Sequence, residues 1–473
     1  MVENIIGRKQ EIRKLSGYLT SNKAEFVLVY GRRRVGKTFL IKEFFNNEFA
    51  FYFSGAEKAT TSQQLFNFTN ALNKYTGADN PVVENWQQAF VQLENYLTST
   101  TIKGKKVIFI DELPWLDNAK SGFLSAFEYF WNTFASSQTD ILLIVCGSAT
   151  SWLIKKVLHD RGGLHNRVTQ QICLEPFSLK ETEQFFQSKN VRYSRLQITE
   201  TYMSLGGIPY YLDLLDRNLS LYKNIDNLFF SRNGVLRTEY KKLYSSLFKS
   251  PEKYMRVIEV LAQKRKGVLR DEISKQTGIS NGGGLTTILE ELENCGFIAV
   301  NNNFTNIKRN QLYQLIDFYS LFYLNFVKQK SITDSNYWTT TTNTPARNAW
   351  LGFSFELLCI SHISQIKKAL GISGVVAYTS SWKSIDSADG AQIDLVFNRN
   401  DNVINLCEMK FSKDEYTITK DYDRELRHKE QVFLNETATK KSVNTTMITT
   451  FGVTHNEYWG NIQSEVTLED LFQ

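Results

Sequence analysis

Cysteine and proline are scarce in this 473-residue chain, at five and six copies. The cysteines, Cys146, Cys173, Cys295, Cys359 and Cys407, are widely scattered, with no CxxC pair and no cysteine–histidine cluster. That spacing argues against a zinc site and a disulfide framework, and a reducing cytoplasm is the simpler setting. Long hydrophobic runs are missing too: the longest, such as ILLIVC at 141–146, are far below the span of a bilayer. The opening MVENIIGRKQ is polar and charged with no apolar region behind it, so no secretory leader is read there. A soluble, cytoplasmic protein with no membrane partner is expected.

A hydrophobic content of 42% with so little proline describes a folded chain. Its length exceeds what one core holds, so several domains are expected. The net charge is only +6, yet Arg237 to Arg270 carries ten Lys or Arg against three acidic residues. A polyanionic partner and a solvated basic helix face account equally for that excess.

From 26 to about 174, the short apolar runs FVLVY, FAFYF, KVIFI, ILLIVC and QQICLEP alternate with helix-like segments. The pattern predicts an α/β fold with a parallel sheet covered by helices. Residues 177–250 read as a helical lid, 251–330 as a third unit and 335–473 as a small α/β domain, after a core at 1–176. The polar stretch TDSNYWTTTTNTPARN, 333–348, is the best linker candidate, although its tryptophan points to packing.

GRRRVGKT, Gly31 to Thr38, fits G-x-x-x-x-G-K-[ST] and stands between a strand and a helix, where a phosphate-cradling loop must stand. Its main-chain amides and the helix dipole would hold a nucleotide phosphate. Lys37 would reach the β- and γ-phosphates, and the Thr38 hydroxyl would meet Mg²⁺. Gly31, Arg32, Arg33, Arg34, Val35, Gly36, Lys37 and Thr38 form the expected ATP-binding set, with the arginine side chains turned to solvent or a neighbour. The bland alternative is a glycine turn with a capping lysine. KVIFIDELPWL, 106–116, ends an apolar strand in two carboxylates, costly to bury without a cation or water. Asp111 would hold Mg²⁺ through water and Glu112 would polarise the attacking water; an acidic helix N-terminus is the alternative.

In order, IIGRKQEIRKL (5–15), GRRRVGKT, FIDELPWL and LIVCGSAT (143–150) resemble the AAA+-related ATPases of the archaeal and STAND-like branch, over roughly residues 1–235. The resemblance implies that Gly7, Arg8 and Glu11 lie beside the adenine and that Ser148 is a polar sensor of the γ-phosphate. It also implies that GGIPYYL, 206–212, is a lid motif. Arg217 is the one candidate lid arginine, Arg167 or Arg161 the candidate for an arginine finger in a homo-oligomer.

In 269–300, a helix over Asp271 to Gln276, a turn with Gly278 suited to positive φ, and a helix over Leu285 to Asn294 precede a loose hairpin. This is similar to a winged helix. That likeness implies a second helix presenting Asn281, Thr286 and Thr287 to DNA, with Lys308 and Arg309 near phosphates. A packing module without DNA contact is the other reading, and Glu290, Glu291 and Glu293 favour it.

GAQIDLVFNRNDNVINLCEMKFSK, 390–413, reads as a hairpin about Asn400. Strand period 2 puts Glu408 and Lys410 on one face, and folding about Asn400 brings Asp394 within a residue or two of Glu408 across the pair. Two carboxylates and an ammonium suit a divalent ion acting on a phosphodiester, and a buried ion pair closing the hairpin is the alternative. With GFSFELLC, 352–359, upstream, D-x13-E-x-K resembles the PD-(D/E)xK nuclease superfamily. That implies Glu356, Asp394 and Glu408 as metal ligands and Lys410 as the residue that positions the nucleophile or stabilises charge, assisted by Gln431 or Lys429. The expected function is a Mg²⁺-dependent ATPase coupled to a DNA-directed, nuclease-like module. The alternative is a STAND-like signalling switch whose C-terminal domain binds a partner without cleavage.

Overall fold

Strands that are buried on both faces read as unbroken apolar runs, and the N-terminal sheet is built from such runs. β1 (Glu25–Tyr30), β2 (Phe51–Ser54), β3 (Lys106–Asp111), β4 (Ile141–Cys146) and β5 (Gln170–Cys173) form one sheet in the order β2-β3-β4-β1-β5. Every neighbouring pair is parallel, as the alternation of the sequence requires. The computed structural model describes residues 4–148, 150–158, 164, 166–264, 266–301, 304, 311–328, 334–384 and 390–473.

One core of this sheet is aromatic. Phe26, Phe51, Phe53, Phe68, Trp86, Phe90, Phe123 and Phe127 pack together from strands and from the helices Thr61–Thr76, Trp86–Ser99 and Phe123–Thr133. Thr60 and Asn85 cap the first two helices by accepting from Gln63 and Gln88 amides. The register sets Val29 of β1 beside Cys146 of β4, and Ile110 of β3 beside Val145. The carboxyl ends of three strands therefore meet at one edge.

The chain divides into two compact units, Met1–Pro176 and Phe177–Gln473. The described part of 177–250 is helical, including Leu179–Ser188, Arg195–Leu205 and Val235–Leu247. Next come the helices Pro251–Gln263, Arg270–Thr277 and Gly283–Asn294, with β6 (Val268–Leu269), β7 (Ile298–Asn301) and β8 (Leu312–Leu315) in an antiparallel sheet β6-β8-β7. Gly278 ends the middle helix at φ 68°, the conformation its position predicts.

The last sheet follows the helix Pro345–Ser361. β9 (Ala377–Lys383), β10 (Gln392–Arg399) and β11 (Val403–Lys410) are antiparallel; β12 (Ser442–Thr449) and β13 (Ser464–Thr467) continue parallel to β11, giving β13-β12-β11-β10-β9. The helix Lys420–Thr437 makes the crossover from β11 to β12.

The expected linker is not one. Trp338 is 3% exposed and packs against Phe322 and Phe326. Its amide donates to Asp226 at 2.7 Å, and Asp226 also accepts from the Thr339 amide and hydroxyl. Arg347, 1% exposed, stacks on Trp338 and Tyr222 and donates to the Trp338 carbonyl at 2.6 Å. A polar string hides this clasp because the groups that close it, Asp226 with the Trp338 and Thr339 amides and Arg347 with the Trp338 carbonyl, find their partners inside the fold. The three segments read as separate domains thus share one unit: Tyr202 meets Phe318, and Tyr244 meets Phe297.

Candidate nucleotide site and carboxylate cluster

The loop after β1 follows a steep course. Gly31 has φ 136°, and a Cβ there would stand 2.2 Å from the Leu174 carbonyl oxygen, so no other residue fits. Arg34 and Gly36 are left-handed at φ 71° and 91°, and Lys37 opens the helix Lys37–Phe44. The buried Lys37 ammonium donates to the Gly31 and Arg32 carbonyls, both at 2.9 Å. Arg8, itself left-handed and buried, donates to the Val35 carbonyl at 3.3 Å and braces the loop from outside.

The arginines depart from expectation. Arg33 and Arg34 are partly exposed, but Arg32 is buried, 7% exposed. Tight packing of Gly31 on Leu174 draws the next residue onto the body of the unit instead of into solvent.

Beside the loop, Thr38 Oγ1 donates to Asp111 Oδ2 at 2.8 Å. Asp111 is 4% exposed, and its other oxygen accepts from the Glu112 amide at 2.9 Å and the Cys146 thiol at 2.5 Å. Burial, then Asp111, push the Cys146 thiol well above its ordinary range, so it is a donor. Glu112 sits in the left-handed region at φ 49°. Its carboxylate accepts from the Ser148 hydroxyl at 2.5 Å and the Ser148 amide at 3.1 Å. The structure thus brings Lys37, Thr38, Asp111, Glu112 and Ser148 together. Sequence reasoning missed Cys146; the strand period, which sets β4's last residue against β3, held the only signal. Arg167 is exposed, and Arg161 lies outside the described residues. Arg217 is exposed in the second unit.

In the C-terminal sheet, Leu395 pairs with Cys407, so the adjoining Asp394 and Glu408 stand opposite each other. Each has a cation. Glu408, 5% exposed, accepts from Lys429 Nζ at 3.0 and 3.1 Å and from the Tyr422 hydroxyl at 3.3 Å. Asp394 pairs with Lys266 at 3.3 Å. Lys410 lies over the Tyr422 ring, 4.8 Å from its centre. Burial, then Asp394, raise the Glu356 carboxyl to about 7. Burial also raises Glu408, against the pull of Lys429. Burial alone would lower Lys429, yet Glu408 and Glu425 hold it above its usual value. Of the two proposed helpers, Lys429 reaches the cluster, and Gln431 points to Asn435 instead. Among the described residues, no three acidic, histidine or cysteine side chains stand close enough to hold a metal ion.

In the middle segment, Arg270 engages two expected base readers, the Asn281 side chain at 2.6 Å and the Thr286 hydroxyl at 2.8 Å. Thr287 is exposed. Lys308 and Arg309 lie outside the described residues. Among the described residues, no helix is long and apolar enough to cross a membrane.

A glycine loop wedged between a parallel strand and a helix, with carboxylates at the end of a strand one place removed in the same sheet, is the architecture of a P-loop ATPase. Residues 5–215 match the family of ATPase domains found predominantly in Archaea, and this part of the chain is an ATPase domain of that archaeal type. An uncharacterised protein of Methanocaldococcus jannaschii is 26% identical over 411 residues, 86% of this chain and 87% of that one. An uncharacterised ATP-binding protein of the same organism is 49% identical over 43 residues, 9% of this chain and 73% of that one. Among solved structures, the Walker-type ATPase of Pyrococcus abyssi is similar at 18% identity and a TM-score of 0.48, covering 68% of this chain and 96% of that one. The ORC2 protein of Aeropyrum pernix, in its ADPNP-ADP complexes, is similar at 11% identity and a TM-score of 0.43, covering 71% and 95%.

Proposed function

We propose that the protein is a cytoplasmic, Mg²⁺-dependent ATPase whose nucleotide cycle drives a DNA-directed middle segment and a nuclease-like C-terminal domain. The observation that carries the ATPase reading is the contact of Thr38 with Asp111 beside Glu112 and Ser148. A hydroxyl and a carboxylate oxygen 2.8 Å apart are hard donors of the kind magnesium takes. When bound there with nucleotide, Mg²⁺ neutralises phosphate charge. The chain does the rest: loop amides hold the phosphates, and Lys37 exchanges its two carbonyl partners for phosphate oxygens. Glu112 orients the attacking water and takes its proton, and Ser148 sets where that carboxylate points.

Calorimetry and turnover test this together. Lys37→Ala should remove ATP binding, whereas Glu112→Gln should keep it and lower turnover by about 10² to 10⁴. Turnover unchanged in Glu112→Gln would remove Glu112 from the mechanism.

The middle segment's helices and antiparallel hairpin resemble a winged helix, with Thr287 exposed on its last helix. With the basic run before it, this supports a DNA partner. The hairpin β10–β11, the crossover helix and the carboxylates resemble a PD-(D/E)xK domain. Plasmid nicking with Mg²⁺ or Mn²⁺ tests it: cutting by wild type that is lost in Asp394→Ala and Lys410→Ala would support the nuclease-like reading, and equal absence of cutting in all three would remove it. As they stand, Asp394 and Glu408 face lysines and do not fit a divalent ion. That pairing favours a second reading, a signalling switch whose C-terminal domain binds a partner. ATP turnover indifferent to DNA, with no nicking by wild type, would select the switch.

A further inference from the structure

β4 ends between the two strands that carry the nucleotide site. In the sheet it has β3, which bears Asp111, on one side and β1, which leads into the glycine loop, on the other. The register sets Val145 beside Ile110 and Cys146 beside Val29, so Cys146 reaches the end of β3 at Asp111. Each of the three residues here meets the chain at or just after that end. The Cys146 thiol donates to Asp111 Oδ1 at 2.5 Å. A Cβ on Gly147 would stand 2.5 Å from Pro114 Cδ, so only glycine lets the segment after β3 lie down on β4. The Ser148 hydroxyl and amide both donate to Glu112. Thiol and hydroxyl, two residues apart, each hold one of the two carboxylates.

The two oxygens of Asp111 are used differently. Oδ1 takes the thiol and the Glu112 amide, whereas Oδ2 is left to Thr38 at the head of the loop helix. Cys146 is fully buried and Asp111 nearly so, and protein groups fix the carboxylate on both oxygens. With Oδ1 tied back, the carboxylate cannot turn without stranding a buried donor, so Oδ2 keeps facing the loop. A buried cysteine is usually a small apolar filler. This one has a carboxylate for its acceptor, and a charge-assisted hydrogen bond is stronger than a neutral one.

We propose that Cys146 is a positioning residue for ATP turnover: its thiol fixes Asp111 so that Oδ2 faces Thr38 when nucleotide lies in the loop. This rests on the ATPase reading and adds a residue to it. The effect falls on kcat more than on KM, because Lys37 and the loop amides hold ATP whether or not Asp111 is aligned.

Infrared spectra of the nucleotide-free full chain read the thiol directly. Subtracting the Cys146→Ala spectrum from that of wild type isolates the Cys146 S–H stretch from those of the other cysteines. The stretch should lie at low frequency, as for a donor bonded to a carboxylate, and should move up when Asp111→Asn is introduced. Steady-state turnover then compares Cys146→Ser, which keeps a donor, with Cys146→Val, which keeps the bulk and loses the donor; a thermal melt checks that each folds. Cys146→Val should lower kcat by about tenfold to a hundredfold, the usual cost of losing a hydrogen-bond partner behind a site carboxylate, with KM for ATP within about twofold of wild type. Cys146→Ser should recover most of that loss. A stretch indifferent to Asp111→Asn, an unchanged kcat in Cys146→Val, or equal losses in Cys146→Val and Cys146→Ser would overturn the positioning role and leave the ATPase reading standing. Wild type that turns over no ATP would bring down both.

Discussion

His362 illustrates how one buried side chain makes stability depend on pH. Its Nε2 accepts from the Leu179 amide at 3.1 Å, which leaves Nδ1 to donate to the Leu358 carbonyl at 2.9 Å. Burial lowers its pKa to about 4. The unfolded ring takes a proton near pH 6.5, so the stability of the neutral folded ring is whole above that value and is lost as pH falls towards 4. The loss there approaches about 3 kcal/mol. Glu356 acts with the opposite sign. Its raised carboxyl contributes stability below the ordinary carboxylate range, and this is lost as pH rises through about 7. Urea midpoints from pH 4 to 8 should therefore fall less on the acid side in His362→Gln, and less on the neutral side in Glu356→Gln. At the loop, Gly31→Ala should destabilise the fold by about 3 kcal/mol or more in thermal melts, since strained φ and a clash with Leu174 add. Lys37, Thr38, Asp111 and Glu112 were legible in the sequence because a motif encodes them in order. Cys146 and Lys266 were not, since each acts on a residue distant in sequence and only folding sets the partner.

At the scale of elements, strands were easier to read than connections. Five apolar runs became five parallel strands, and the hairpin at 390–413 brought Asp394 within a residue or two of Glu408, the register of β10 on β11 then setting the two opposite. The segment at 333–348 went the other way, because threonine and asparagine look the same in a linker and in a folded clasp. Trp338→Ala should cost about 3 to 5 kcal/mol, the usual range for emptying a tryptophan site. A lowered urea midpoint, followed by tryptophan fluorescence, checks it; a midpoint within error of wild type would return 333–348 to the status of linker. The helix Gly283–Asn294 was legible as a helix. That Arg270 already holds Asn281 and Thr286 was not, because hydrogen-bond partners depend on the angle between two helices.

For the whole molecule, the proposed DNA partner makes a DNA-responsive ATPase the prediction to test. Turnover should rise on adding duplex DNA, and the affinity should fall with salt as phosphate contacts to Lys and Arg release counterions. Flat turnover and a salt-independent affinity would remove the DNA partner. If Arg167 serves a neighbouring copy, ATP should shift the chain to a larger species in sedimentation, and Arg167→Ala should abolish the shift without unfolding the chain. The structure joins the helical segment 177–250, the middle segment and the C-terminal sheet in one unit, so a signal entering any of them has packed side chains to travel through.

The sequence by itself determined the parallel sheet, the phosphate loop, the carboxylates after β3 and the hairpin of the last sheet. Each is written in local pattern: apolar period, glycine spacing, charge at a strand end. Tertiary structure alone decided that Arg32 is buried, that 334–348 is a clasp and that lysines from two segments meet Asp394 and Glu408. Those outcomes depend on which surfaces come together, and burial and ion pairing across long sequence separations leave no periodic trace in the chain.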